Sequence, residues 1–164
     1  MFKIIAAVGK NGELGKDGGL VFHIREDMEF FKAQTMGKSV VMGLKTFESL
    51  PGGALKGRKN YVITHHPEEL PPEVVPVTDL KQFVRENATS DEEIYVIGGA
   101  YVYSEMLPFT EVIYLTEIEA EAEADVFFPN FDKNLYNKTI IKRGQENDLI
   151  YNFVKYEIKQ KGDK

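Results

Sequence analysis

The chain contains no cysteine and no tryptophan among its 164 residues, and only three histidines. Without cysteine there is no disulfide framework and no thiolate metal site, and the chain suits a reducing compartment. The histidines are His23, His65 and His66. An adjacent pair lacks the usual helical metal spacing and has no companion ligand set, so no metal is assigned. Long hydrophobic runs are missing as well. The apolar stretch at the start, Phe2 to Val8, is too short for a signal segment or a membrane span. No membrane partner is therefore expected, and a cytoplasmic location is the default. A positive balance is absent too, because the formal net charge is −6. That speaks against a general nucleic-acid binder.

What is present suits one compact domain over residues 1–164, with 43% hydrophobic residues to fill a core. Phe2–Val8, Ser39–Gly43, Asn60–Thr64, Ile94–Ile97 running into Gly98-Gly99, and Val112–Thr116 read as buried strands. Val74–Val77 reads as a short edge strand. The spacing predicts helices over Arg25–Gln34, Thr46–Leu50 and Ala100–Leu107. A further helix is capped by Asp79, with Leu80, Phe83 and Val84 facing inward. Gly9 to Gly19 reads as a loop. Thr139–Lys142 and Leu149–Ile158 suggest a hairpin turning at Gln145–Asp148. Helices between the early strands imply parallel pairing, and the helix-free C-terminus implies an antiparallel addition at one edge.

Two features carry chemistry. Asp27 shares a helix face with Phe30 and Phe31. A carboxylate on apolar surface either finds a partner or keeps its proton to unusually high pH, and such groups bind protonated heterocycles or deliver protons. A plainer reading is that Glu26 and Asp27 suit the positive end of a helix. The second feature is a pair of strand–glycine–helix junctions, at Gly98-Gly99 and at Gly43-Leu44-Lys45-Thr46. Bare backbone at a helix start attracts phosphate, and two such junctions suggest an extended diphosphate ligand. No G-x-G-x-x-G follows the first strand, so any dinucleotide is held differently from the Rossmann manner.

In order, the pieces resemble dihydrofolate reductase, from Phe2 to about Ile158. The segments that carry the resemblance are Ile4–Ala7, Asn11-Gly12-Glu13-Leu14-Gly15, Glu26–Lys32, Val41–Leu50, Leu55–Asn60, Val96–Gly99, Tyr114–Thr116 and Asp125–Pro129. The resemblance implies an α/β fold of that family: a central, mostly parallel eight-stranded sheet, an antiparallel C-terminal edge, and about four helices on its two faces. It implies reduction of 7,8-dihydrofolate to tetrahydrofolate by hydride from NADPH, in a monomer.

Position by position, the resemblance gives Asp27 the pterin and the promotion of N5 protonation. Thr116 is the hydroxyl linking acid and pterin. Ile5, Ala7, Met28, Phe31, Leu50, Ile97 and Tyr103 line the apolar pocket, and Ala7 also serves the cofactor side, with the role of Leu14 left open. Arg58 grips the substrate's glutamate carboxylate, assisted by Lys32. Gly98, Gly99 and Ala100 match the diphosphate site. Gly43, Lys45 and Thr46 match a second phosphate contact. Gly9–Gly19 with Leu20 matches a mobile lid that Asp125 steadies.

The chain departs from the family pattern in three places. Val21-Phe22 replaces the usual Pro-Trp, so Phe22 offers no donor to hold a water near the pterin. Leu44 replaces a common arginine, and Tyr101 another polar group, at the adenosine end. Lys45, His65 and His66 are the remaining candidates for the 2′-phosphate. NADH use, or a related pterin or pyrimidine reductase, is therefore kept as the alternative.

Overall fold

A computed structural model describes residues 1–160, so the last four residues of the expected 1–164 domain lie outside it. In chain order the main elements are β1 (Phe2–Val8), β2 (Glu13–Lys16), β3 (Gly19–Leu20), α1 (Arg25–Thr35), β4 (Ser39–Gly43), α2 (Leu44–Ser49), β5 (Lys59–Ile63), β6 (Val75–Val77), α3 (Leu80–Asn87), β7 (Ile94–Val96), α4 (Ala100–Met106), β8 (Thr110–Ile118), β9 (Val126–Phe127), β10 (Tyr136–Glu146) and β11 (Leu149–Ile158).

Eight strands form the main sheet, in the order β10-β11-β8-β1-β7-β4-β5-β6. From β8 to β6 every neighbouring pair is parallel. β11 joins β8 antiparallel, and β10 closes that edge as its hairpin partner. The central strands are sealed on both faces, which is why they read as unbroken apolar runs. Val40, Val41 and Met42 are all fully buried. Alternate residues feed two layers. Ile4, Val41, Val96 and Leu115 meet Phe83 and Val84 of α3 and Val102 and Met106 of α4. Ile5, Val40, Met42 and Tyr114 meet Phe30 and Phe31 of α1 and Leu44 and Phe47 of α2. The expected fold is the one observed.

Several boundaries differ from the sequence reading. The Gly9–Gly19 segment is not all loop, because β2 pairs with β3 and with β9 in a separate three-stranded sheet. α2 starts at Leu44 rather than Thr46. β10 is much longer than Thr139–Lys142, since most of its residues are exposed positions on an edge strand, where polar side chains carry no strand signal. Asp79 does cap α3, its carboxylate accepting the Gln82 N–H at 3.1 Å.

Candidate active site

α1 starts beside the C-terminal hairpin. Its N-cap residue, Ile24, has no side-chain acceptor to offer. Glu146, at the end of β10, supplies one: both its carboxylate oxygens accept the Arg25 N–H at 3.0 Å. Glu26 accepts the Tyr151 hydroxyl at 2.6 Å and pairs with Lys142. The Lys142 ammonium and that hydroxyl hold the Glu26 carboxyl below its usual range.

Asp27 lies one residue on and is mostly withdrawn from solvent. Its Oδ1 accepts the Thr116 hydroxyl at 2.5 Å. Thr116 is itself buried and stands opposite Ala7 of β1 and Phe153 of β11. Burial pushes the Asp27 carboxyl above its ordinary value, and the Thr116 hydrogen bond only partly opposes that. The face predicted from spacing exists. Phe30 stacks on Phe153 at 4.6 Å and meets Tyr114 edge-on at 6.0 Å. Phe31 packs with Ile5, Leu50 and Ile97 in one apolar cluster.

The remaining expected pocket residues are distributed as follows. Tyr103 is buried, and its hydroxyl donates to the Ile5 carbonyl at 2.9 Å. Ala7 and Phe22 belong to the cluster around Ile24 and Phe153. Met28 and Leu20 are exposed, at 55% and 53%. Lys32 is also exposed, near the C-terminal end of α1. Two hollows of about 470 and 350 Å³ lie elsewhere, one against Val8–Gly12 and Phe128–Phe131, the other against α3. Asp27 lines neither of them.

Arg58 sits at the far end of α1. Its guanidinium donates to the Thr35 hydroxyl at 3.1 Å and to the Lys56 carbonyl at 3.0 Å. Thr35 lies eight positions beyond Asp27, about 12 Å along a helix at 1.5 Å per residue. Acid and guanidinium therefore mark the two ends of one helix. Desolvation lowers the Arg58 pKa without neutralising so strong a base.

The two glycine junctions touch. The Gly43 N–H donates to the Gly98 carbonyl at 2.9 Å. Gly98 has φ +127°, and its peptide to Gly99 is cis. A Cβ on Gly98 or Gly99 would lie 3.5 or 3.6 Å from the Thr46 hydroxyl. Bare backbone of β7–α4 thus faces a hydroxyl of α2, with Lys45 alongside. Leu44, in place of a cation at the first position of α2, is partly buried against the core. Tyr101, Lys45, His65 and His66 are exposed. His66, Glu68 and Glu69 bring ligand-type atoms within 4.8 Å of one another, a companion set that the sequence reading did not foresee. All three are exposed, and His66 and Glu68 stand 3.6 Å apart.

The Gly9–Leu20 segment is tied to the stretch after β8. The Asp125 carboxylate accepts the Asp17 N–H at 3.0 Å, and its own N–H donates to the Gly15 carbonyl at 3.0 Å. Sequence reasoning missed three side chains here. Glu13 is buried within this segment. Asn60 is buried under the Arg58 turn, holding Leu55 through both its N–H and its carbonyl, and also the Arg58 carbonyl. Glu146 was placed in a turn. The one available signal was polarity inside otherwise apolar or glycine-rich runs.

The family model described as dihydrofolate reductase matches residues 1–158. The chain belongs to the dihydrofolate reductase family. Among curated relatives, the dihydrofolate reductase of Bacillus subtilis is 37% identical over 97% of this chain and 95% of its own length. That of Neisseria gonorrhoeae is 34% identical over 93% and 95%. A solved dihydrofolate reductase of Enterococcus faecalis, complexed with NADP(H), superposes with a TM-score of 0.88. It covers 98% of this chain and 97% of its own, at 26% identity. This dihydrofolate reductase is an NADPH-dependent oxidoreductase that reduces 7,8-dihydrofolate to 5,6,7,8-tetrahydrofolate. The alternative of a pyrimidine reductase is thereby set aside. No described helix is long and apolar enough to cross a membrane.

Proposed function

We propose that Asp27 binds the pterin of dihydrofolate and promotes protonation at N5, with Thr116 fixing the carboxyl's direction. One observation carries this: a carboxyl withdrawn from solvent, its pKa raised, with one oxygen engaged by a buried hydroxyl. The second oxygen has no partner among the described residues, which suits a two-point contact with the ring nitrogen and amino group of a pterin. A carboxyl of raised pKa also takes up a proton nearer to neutral pH, where it assists transfer toward N5.

Ile5, Phe31, Leu50 and Ile97 form the apolar wall, and Met28 and Leu20, still exposed, are the side chains left for a ligand to cover. Ala7 and Tyr103 border the cofactor side of that wall. The substrate lies along α1, with its glutamate tail at Arg58 and Lys32. The helix spacing between Asp27 and Arg58 suits a molecule with a basic ring at one end and a carboxylate at the other.

The chain's residues fit NADPH. The bare Gly98-Gly99 backbone faces the Thr46 hydroxyl, and Ala100, Lys45 and Thr46 complete a cradle for its phosphates. When bound there, NADPH supplies the hydride. His65, His66 and Lys45 are the side chains left for the 2′-phosphate, since Leu44 is turned into the core. The Gly9–Leu20 segment acts as a lid that excludes water, held by Asp125. Phe22, just beyond that lid, has no donor to offer, so proton delivery depends on Asp27 and solvent rather than on an indole N–H. The reading takes the chain as a cytoplasmic, monomeric, single-domain enzyme with no nucleic-acid partner.

The test is NADPH oxidation, followed at its near-ultraviolet band with dihydrofolate present, in wild type and Asp27→Asn. The variant is expected to fold normally and to lose turnover near neutral pH. Full neutral-pH activity in Asp27→Asn would overturn the role.

A further inference from the structure

Glu13 is 1% exposed, yet no basic side chain pairs with it among the described residues. Main-chain amides satisfy both its oxygens instead. Oε1 accepts the Asn11 N–H at 2.6 Å, and Oε2 accepts the Ala122 N–H at 2.8 Å. Asn11 belongs to the root of the lid, and Ala122 to the stretch that follows β8. One carboxylate therefore bridges two segments that are remote in sequence. Its surroundings point to position rather than bulk. A Cβ on Gly9 would lie 2.7 Å from Glu13 Oε1, 2.9 Å from the Ala120 carbonyl and 2.9 Å from the Phe22 ring. The carboxylate, the post-β8 stretch and the Phe22 ring thus crowd the same bare backbone. Gly9 also donates its N–H to the Glu13 carbonyl at 3.1 Å. β8, meanwhile, carries Thr116, the partner of Asp27.

We infer that Glu13 is a positioning residue: its ionised carboxylate locks the root of the Gly9–Leu20 lid onto the 119–122 stretch and so sets the rate at which the lid releases the cofactor. This rests on the lid reading given above. The chemistry of the clamp is specific to a carboxylate, because two N–H donors converge on two acceptor oxygens. An amide offers one acceptor and one donor, so one of the two N–H groups would face another N–H. An apolar residue would leave both unpaired. Burial pushes the Glu13 carboxyl up, but the N–H bonds from Ala122, its own amide and Asn11 prevail and leave it below its usual range. The clamp is therefore closed at neutral pH and opens only in acid. The titratable side chains on the segments packed around it are Lys10, Lys16, Asp17, His23, Glu119, Glu121, Glu123 and Asp125. All are exposed, and none shares a hydrogen bond or ion pair with Glu13.

The test uses the full-length enzyme in two parts. In wild type, the Asn11 and Ala122 amide protons are followed by NMR as pH falls. Both are expected to shift together, with one midpoint below the ordinary glutamate value. Independent movement of the two would overturn the clamp, and this measurement needs no variant to fold. In Glu13→Gln, cofactor release is measured by stopped flow and dihydrofolate affinity by titration. Release about tenfold faster, with substrate affinity within about twofold of wild type, is the expected split. A uniform loss of both, or unchanged release, would overturn the positioning role. Leu20→Gly serves as the separate check on the lid. Should Leu20→Gly speed release while Glu13→Gln does not, the inference fails and the lid stands. Should Leu20→Gly also leave release unchanged, the lid reading falls and the inference with it.

Discussion

The Thr116 hydroxyl meets Asp27 Oδ1 at 2.5 Å, joining the first turn of α1 to the C-terminal part of β8. The contact is made where β8 faces Ala7 of β1. A general acid–base group of this kind contributes roughly 10²–10⁴-fold to rate. Asp27→Asn is accordingly expected to lower kcat/KM near neutral pH by about that factor, with the loss measured across a pH series. Thr116→Val, which removes the hydroxyl and keeps the shape, should cost less and shift the acid limb of the profile.

The same carboxyl has a consequence for stability. Its folded pKa is raised by burial, so the folded protein holds that proton more tightly than the unfolded chain does. Stability associated with Asp27 is therefore greatest at low pH. It falls as pH rises from the ordinary aspartate value through the folded one. Asp27→Asn should melt above wild type at pH 7, and the gap should narrow as pH is lowered below the ordinary aspartate range. Thermal melts of both proteins over a pH series check this. A wider gap in acid would contradict the assigned direction.

Arg58 and Asn60 separate binding from scaffolding. If Arg58 grips the substrate tail as proposed, Arg58→Ala is expected to remove a charge-assisted contact worth about 1.5–3 kcal/mol and so raise KM roughly 10- to 150-fold. kcat should change little, and a tail-less pterin should be reduced as before. Asn60→Ala strips buried partners from Leu55 and Arg58. It is expected to cost about 1–3 kcal/mol of stability per group left unsatisfied, read from denaturant midpoints.

Leu44 offers a test of cofactor choice. Its side chain, at the first position of α2, packs partly against the core, so no guanidinium stands at that position. Leu44→Arg is expected to tighten NADPH about tenfold or more while leaving NADH unchanged, if one charge-assisted contact to the 2′-phosphate forms. Titration with both nucleotides decides it. Equal tightening of the two would show that the new cation reads only the diphosphate.

Much of this architecture was legible because its signals are local. β1, β4, β7 and β8 read as apolar runs since both sheet faces are covered, and Asp27 stood out through its spacing from Phe30 and Phe31. Gly43 and Gly98-Gly99 announced their junctions through composition. The three-stranded sheet was not legible, because Glu13-Leu14-Gly15-Lys16 has no strand alternation and its partner, Val126-Phe127, lies far along the chain. Glu13 and Glu146 were invisible for a related reason. Their partners are main-chain N–H groups, which leave no mark in the identity of the residues that own them. Arg58 could be named from its motif, but the buried Asn60 beneath it needed three dimensions.

The helix that carries the acid is completed from the other end of the polypeptide. Glu146 closes the N-terminus of α1, while Tyr151 and Lys142 secure Glu26 beside Asp27. During synthesis, residue 27 leaves the ribosome long before this hairpin exists. A nascent chain already holding β1, α1 and β8 has its acid in sequence but lacks the brace that fixes the turn bearing it. The first turn of α1 thus waits for its brace until the last strands are made, and fragments cut short before β10 would keep Asp27 and Thr116 but not the contacts that hold Arg25 and Glu26 beside them.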